Sequence, residues 1–222
     1  VNGRWLADYA IPADRATDGA FRALYDRAEE QVREIITSAG PDGSDDERRV
    51  GDLYASFLDE QAVERRGVRP LLDELALIDA APGPAELAAV MGRLQRTAVG
   101  GGVGIYVDTD SKDASRYLVH LNQSGLGLPD ESYYRDEQHA AILGAYPGHI
   151  ARMFALVFGG SPDSYADRAG RIVTLETALA GSHWDVVRRR DAEATYNLRA
   201  FAELADAAPG FDWAGWAAAL GI

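Results

Sequence analysis

The segment Ser124–Tyr134, with the sequence S-G-L-G-L-P-D-E-S-Y-Y, constrains the fold of this chain more than any other stretch. Gly125 and Gly127 permit backbone angles that other residues avoid, and Pro129 restricts the chain just before a position where a helix can begin. The residues before the segment have the pattern of a strand, and those after it have helical spacing. The segment therefore predicts a sharp corner that joins a strand to a helix.

Helical periodicity dominates the first hundred residues. Residues 1–12 show no regular pattern and predict an irregular opening. Ser44 and Glu47 have the spacing of a capping box, which marks the start of a helix. Apolar residues at steps of three and four predict helices at about residues 21–36, 45–58, 71–78 and 87–94.

The pattern changes after the three glycines at 100–102. Two short β-type runs, Gly104–Asp108 and Arg116–Leu121, flank a polar stretch and predict a β-hairpin. Beyond the corner, the predicted elements are a helix from about residue 132 that Pro147 interrupts and Gly159 ends, a long helix from 165 to about 190, and two short helical patches.

These elements predict a mainly α fold, a multi-helical lobe with one short β-hairpin at about residues 104–122. The chain contains no internal repeat, and its only linker-like stretch, Ala39–Asp46, is too short to separate independent domains. Residues 1–222 are therefore expected to form one region.

Composition excludes several classes of function. The net charge of −13 repels phosphate backbones, so nucleic-acid binding is not expected. No uninterrupted apolar run approaches the roughly 20 residues that span a bilayer, which predicts no transmembrane segment in this chain. The absence of cysteine excludes disulfides and thiolate metal sites and leaves the cellular compartment open.

The residue types that carry catalysis do not form a recognisable motif. The four histidines, His120, His139, His149 and His183, are never three to five residues apart, so the H-E-x-x-H pattern of zinc peptidases is absent. The acidic turn at 108–113 lacks the glycine and the final glutamate of a calcium loop, and G-x-S-x-G does not occur. We therefore assign no metal ligand and no catalytic residue to this chain.

Several motifs nevertheless resemble one family in the same order along the chain. They cover nearly the whole sequence, which makes the set more specific than any single motif. The motifs are Val1–Leu6, Ile11–Arg15, Gly51–Phe57, Ile105–Asp108, the corner at Ser124–Tyr134, Leu175-Glu176 through Trp184 to Asp191, and Tyr196-Asn197. On these residues the chain resembles the N-terminal region of the neprilysin family of zinc metallopeptidases.

The resemblance implies a two-lobed enzyme in which a largely helical lobe closes over a chamber that admits only peptides. This chain would be its N-terminal, non-catalytic portion, mostly the helical, lid-like lobe, with residues 1–15 packing near the catalytic lobe. Zinc would be the cofactor of the full-length enzyme, with its ligands outside this chain. The implied partners are the missing C-terminal catalytic lobe and peptide substrates.

One substrate contact of the family falls in this region. In neprilysin an arginine shortly after the Ile-Pro motif binds the terminal carboxylate of the substrate, and Thr17 stands at that position here. Arg22 stands at the position of an aspartate partner and is our one candidate for a chamber residue. The alternative is that Arg22 is a solvated arginine on the polar face of its helix.

A second class of function stays open from the sequence alone, namely a stand-alone helical module that binds peptides or proteins without catalysis. Both hypotheses treat the chain as separated from a covering partner. We therefore expect apolar residues near its end, such as Trp213, Trp216 and Leu220, to lack cover and to promote association.

Overall fold

The computed structural model describes residues 3–222; Val1 and Asn2, which belong to the first sequence motif, lie outside the described residues. The chain divides into two compact units, residues 1–69 and 70–222. The boundary at Arg69 and Pro70 was not predicted, because the sequence offers a linker-like stretch only at residues 39–46.

The described residues of the first unit, 3–69, contain four α-helices. Ser44 caps the third of them with a complete capping box, in which Glu47 bonds back to the Ser44 backbone, as predicted. The prediction of an irregular opening is wrong for residues 3–8, which form a helix, and the short fourth helix was not predicted. The helices are α1 Gly3–Asp8, α2 Ala20–Ser38, α3 Asp45–Leu58 and α4 Glu60–Arg66.

The apolar faces of α2 and α3 are open. Phe21 is 89% exposed and Phe57 is 80% exposed, and no residue of 3–69 with a described side chain is fully buried. A groove of about 910 Å³ lies between the two helices and is lined by Tyr25, Val32 and Tyr54 among others. Amphipathic helices gain most of their stability from packing of the apolar face, so this unit presents a surface suited to a covering partner.

The second unit combines helices with one two-stranded sheet. Its elements are α5 Leu72–Asp79, α6 Pro84–Gln95, β1 Val103–Asp110, β2 Asp113–Gln123, α7 Ala140–Phe158, α8 Ala166–Ser182, α9 Ala192–Thr195, α10 Leu204–Ala207 and α11 Trp213–Leu220. The predicted fold class, mainly α with one hairpin near residues 104–122, is confirmed.

The hairpin is antiparallel. Val103 pairs with Gln123, Tyr106 with His120 and Thr109 with Tyr117. The register shifts at Thr109 and Asp110, where the chain turns. Within residues 3–222 each strand pairs only with the other, so the outer edge of each strand has no sheet partner.

One core cluster lies where α11 packs on α6. Trp216 is 1% exposed, contacts Ala88, and donates its indole N–H to Gln95 Oε1 at 2.6 Å. A Cβ at Gly92 would overlap the Trp216 carbonyl oxygen, so glycine allows the close approach of the two helices. The expectation that Trp213, Trp216 and Leu220 lack cover is therefore wrong for Trp216, which α6 covers within this unit, and the other two are partly buried against the same cluster.

The other core cluster joins α7 and α8. Ile150 and Ala151 of α7 are buried with Ala169 of α8. The prediction that Pro147 interrupts this helix is wrong, because α7 continues through it. Proline removes one backbone donor from the helix, and the turn that follows, with Ile150 and Ala151, packs on α8.

The segment Glu137–Phe158 is long and apolar enough to cross a membrane by length and composition alone. This criterion alone does not test the prediction of no transmembrane segment, which stays a prediction. A single helix of this kind is weak support for a membrane span, because core helices of soluble proteins meet the same test. Here Ile150 and Ala151 of the segment pack against α8.

Helix α8 ends at Ser182, eight residues before its predicted end. His183 takes an extended conformation, with ψ of 143°. Arg135 donates to the carbonyl oxygens of Ala180 and His183 at 2.8 and 2.9 Å. These bonds satisfy carbonyl groups that a helix leaves unpaired at its C-terminal end, so the end of α8 is held by a residue of the corner region.

Candidate functional site

The corner at Ser124–Tyr134 depends on its two glycines. Gly125 has a φ of 91° and approaches Gly102 closely, so a side chain there would be strained and crowded. Gly127 is not among the glycines with positive φ, so the prediction that it uses angles closed to other residues is wrong; a Cβ there would instead overlap the Tyr146 hydroxyl. The predicted corner is therefore confirmed, with the helical path resuming as 3₁₀ turns at residues 131–134 and 137–139 before α7.

A buried hydrogen-bond network fastens the corner to α7 and α8. Tyr134 donates to Glu176 Oε2 at 2.5 Å and accepts from the Leu128 N–H at 3.1 Å. Tyr146 donates to the other oxygen, Glu176 Oε1, at 3.2 Å. Burial, with the Glu176 carboxylate, raises the pKa of Tyr146 to about 12 and raises that of Tyr134 further. Both tyrosines therefore remain protonated donors, and the network positions the corner rather than transferring protons.

Removing one hydroxyl from this network tests its contribution. We expect Tyr134→Phe to lower the free energy of unfolding by about 1–3 kcal/mol, because the Leu128 N–H and the Glu176 carboxylate lose a buried partner. Urea denaturation followed by circular dichroism measures the change. Tyr133→Phe is the matched control, since Tyr133 stacks on His139 and its hydroxyl has no bond within residues 3–222. If Tyr134→Phe and Tyr133→Phe changed the free energy of unfolding equally, the Tyr134 hydroxyl would not stabilise the corner as described.

The four histidines lie apart from one another in different settings. His120 stacks on Tyr106 with ring centroids 4.8 Å apart, and His139 stacks on Tyr133 at 4.0 Å. His149 lies beside Tyr146, and burial lowers the pKa of His183. Within the described part of the chain, no three His, Asp or Glu side chains form a group that could hold a metal ion.

The tip of the hairpin carries an ion pair between a buried carboxylate, Asp110, and a half-exposed arginine, Arg116. The Asp110 carboxylate accepts from the Lys112 N–H at 2.9 Å, from Arg116 at 2.6 and 2.9 Å, and from the Tyr196 hydroxyl at 3.2 Å. Lys112 also bonds Glu193 at 2.7 Å. The acidic side chains of this turn therefore bond to other residues of the same chain, as expected of a polar hairpin turn. One of these bonds holds Tyr196 beside the hairpin.

The Asp110 carboxylate predicts a pH dependence of stability. The Lys112 N–H, then Arg116 and Tyr196, hold the pKa of Asp110 below its usual value in spite of burial. A lowered folded pKa stabilises the protein above the unfolded value of about 3.9, and this contribution is lost as the pH falls through the folded pKa.

We therefore expect Asp110→Asn to lower the melting temperature by several degrees at pH 7 and by clearly less near pH 3. Thermal unfolding of the variant and of the wild type across that range measures the difference. Asp108→Asn, at an exposed residue of the same strand, is the control and should change the melting temperature little across the same pH range. A deficit of Asp110→Asn that stays constant down to pH 3 would refute the assignment.

Arg22, the candidate chamber residue, lies in the first turn of α2. Its Nε is 3.2 Å from Asp26 Oδ1, and its guanidinium lies over the Tyr25 ring at 4.9 Å. Arg15 binds the other oxygen of Asp26 at 2.9 Å. Arg22 also lines a cavity of about 470 Å³ formed by residues 14–22, whose wall includes Thr17.

Several residues that organise the second unit were not singled out from the sequence. Glu176 and Tyr196 lie in two of the motifs that carried the resemblance, but only the fold shows that they bind Tyr134 and Asp110. Gln123 binds both backbone groups of Trp184, at 2.8 and 2.9 Å. The two motifs were the available signal for Glu176 and Tyr196, whereas Gln123 lies in none of the motifs.

Comparison with known proteins defines the class. A sequence model of peptidase family M13 matches residues 1–222 in full. The chain belongs to this family, and it corresponds to the N-terminal portion of an M13 zinc metallopeptidase. The resemblance to the neprilysin family is thereby confirmed.

Among solved structures, the chain is similar to the zinc metalloprotease ZMP1 of Mycobacterium tuberculosis. The open-state structure is 67% identical with a TM-score of 0.91, over 99% of this chain and 34% of that one. The structure of the same protein in complex with an inhibitor is also 67% identical in sequence, with a TM-score of 0.87. That match covers all of this chain and 34% of the ZMP1 chain. Endothelin-converting enzyme-like 1 of Mus musculus is 31% identical over 95% of this chain and 29% of its own length. The chain thus spans about a third of the length of these relatives.

Proposed function

We propose that the full-length protein is a zinc-dependent endopeptidase of small peptides and that this chain is its N-terminal, non-catalytic portion. The observation that carries the proposal is the match of the whole chain to family M13, whose relatives are about three times as long. The role of the chain would be to wall the substrate chamber and to restrict substrate size. In this arrangement residues 1–15 pack near the catalytic lobe.

The zinc ligands are proposed to lie outside this chain. Tetrahedral zinc needs three or four converging ligands, and the histidines of the described residues are separated and engaged by aromatic stacking or burial. The residues present therefore do not fit a zinc site. Zinc bound elsewhere in the protein would activate the hydrolytic water, while this portion binds and orients peptide.

Size restriction can be tested on the full-length enzyme. We expect cleavage of a fluorogenic peptide of about ten residues, with little cleavage of the same sequence embedded in a folded carrier protein. Comparing kcat/KM for the two substrates measures the restriction. Equal values would contradict the chamber proposal while leaving the peptidase assignment intact.

Arg22 is proposed to face this chamber and to contact the substrate. The support is its position at the cavity formed by residues 14–22, where its guanidinium is half exposed. We expect Arg22→Gln in the full-length enzyme to raise KM for short peptides about tenfold, which corresponds to about 1.4 kcal/mol of binding, with kcat unchanged. Arg33→Gln, also on α2 and ion-paired with Glu30, is the control. An unchanged KM would favour the alternative, in which Arg22 is a solvated arginine on the polar face of its helix.

The open groove between α2 and α3 favours a second candidate, a helical module that binds a peptide or protein without catalysis. The two proposals differ in what the gene encodes beyond residue 222. A continuation that contains H-E-x-x-H supports the peptidase, whereas a stop codon supports the binding module.

A further inference from the structure

A second groove, within the unit of residues 70–222, runs along the outer edge of β2. It has a volume of about 450 Å³ and is lined by the consecutive residues Leu118–Leu121 on one side and by Thr195–Arg199 on the other. Consecutive strand residues point to opposite faces of a sheet, so a groove that all four line follows the edge of the strand rather than one face.

Both sides of this groove present unpaired backbone groups. β2 pairs only with β1 among the described residues, so alternate N–H and C=O groups along β2 point away from β1. Asn197, Leu198 and Arg199 make no backbone-to-backbone hydrogen bond within residues 3–222. A strand edge and a segment without regular secondary structure, both with free backbone groups, therefore border the same groove.

Much of the wall of the groove is apolar, and it contains one buried side-chain polar atom without a partner. Leu198, Phe201 and Ile222 line it and are each at least half exposed. His120 Nε2 is buried and has no hydrogen-bond partner in the described part of the chain. An occupant must therefore cover apolar surface and offer hydrogen-bonding groups to both edges and to His120.

The walls are also held in place from both ends. Asp110 binds Tyr196 at the hairpin tip, and the Gln123 side chain binds the Trp184 backbone at the hairpin base. The groove is thus preformed by the fold of this unit, which lowers the entropic cost of filling it.

We propose that a β-strand from the part of the full-length polypeptide beyond residue 222 occupies this groove and pairs with the outer edge of β2. An extended backbone is the one ligand that supplies alternating donors and acceptors along its whole length. Native proteins cover exposed strand edges to prevent unwanted pairing, which favours a permanent occupant over a transient one.

This chain covers 34% of the ZMP1 chain, so about twice its length lies outside the match, and Ile222 itself lines the groove. A continuation of the chain beyond Ile222 would have both the length and the position to supply the strand. The inference rests on the proposal that the chain continues into a catalytic portion.

Amide exchange in the full-length protein tests the pairing. In a two-stranded hairpin only alternate amides of Leu118–Leu121 are bonded, so the others exchange rapidly. If a strand pairs with the outer edge of β2, all four of these amides are hydrogen-bonded and exchange only when the unit unfolds. We therefore expect each to exchange at least on the order of 100-fold more slowly than in an unstructured peptide. The outer edge of β1, at Ile105–Val107, is the internal control and should keep an alternating pattern. Alternating protection in β2 would overturn the proposal.

A photoreactive phenylalanine at Leu198 of the full-length protein identifies the occupant. A cross-link to a residue beyond 222 supports the proposal, whereas one to residues 1–222, to a second copy, or to an added substrate peptide overturns it. Peptide hydrolysis by the same preparation reports separately on the proposed function. Active enzyme with the wrong cross-link rejects only this inference, and the expected cross-link without hydrolysis rejects only the peptidase assignment.

Discussion

Trp216→Ala is expected to lower the free energy of unfolding by about 3–5 kcal/mol. The indole is almost fully enclosed between α6 and α11, where it contacts Ala88 and packs edge-on against Phe211 and Trp213. Truncation leaves a cavity that small neighbours such as Ala88 and Ala217 cannot fill, and it leaves Gln95 Oε1 without its donor. Urea denaturation followed by circular dichroism measures the loss.

Trp5→Ala is the matched control for this change. Trp5 lies on α1, is exposed and stacks only on Tyr9, so its removal should change the free energy of unfolding by about 0.5 kcal/mol or less. If Trp216→Ala and Trp5→Ala unfolded at the same urea concentration, the contact between α6 and α11 would not be a core of the unit formed by residues 70–222.

Gly127→Ala is expected to have the second-largest effect, a loss of about 1–3 kcal/mol or more. Its backbone conformation is open to alanine, so the cost is steric. The new methyl group would overlap the Tyr146 hydroxyl and lie within 3.2 Å of Glu176 Oε1. Relief requires Tyr146 to leave Glu176, which breaks part of the network that fastens the corner.

Two further variants test whether the loss comes from the steric overlap at Gly127 or from any replacement of glycine by alanine. Gly170→Ala in α8 meets no atom within 4 Å and should stabilise the protein by up to about 1 kcal/mol, because alanine favours the helix. Gly127→Ala combined with Tyr146→Phe should recover part of the loss, since the overlapping oxygen is gone. An unaltered stability of Gly127→Ala alone would contradict the described corner.

Local features of the fold were predictable from the sequence. The capping box at Ser44, the glycine corner and the hairpin each depend on residues that are close in the chain, and all three are confirmed. The early end of α8 was not predictable locally, because Val186 and Val187 continue an apolar spacing. The Trp184 N–H, two residues before Val186, instead bonds to Gln123, 61 residues away in the sequence.

The candidate site shows the same division. The motifs that contain Tyr134, Glu176 and Tyr196 could be identified in the sequence. The sequence did not indicate which side chains these residues would contact. Tyr134 and Glu176 are 42 residues apart, and Asp110 and Tyr196 are 86 apart. Only tertiary packing brings such residues together, so composition and periodicity could indicate the family and the elements but not these contacts. The continuation of α7 through Pro147 likewise reflects packing that overrides a local preference.

The central proposal is that this chain is the non-catalytic portion of an M13 zinc peptidase. Purified residues 1–222 should be analysed for bound zinc and assayed with a fluorogenic peptide, beside the full-length protein as a positive control. We predict less than stoichiometric zinc and no cleavage for residues 1–222, with one zinc and chelator-sensitive cleavage for the full-length protein. One tightly bound zinc per chain of residues 1–222, together with chelator-sensitive cleavage, would contradict the claim.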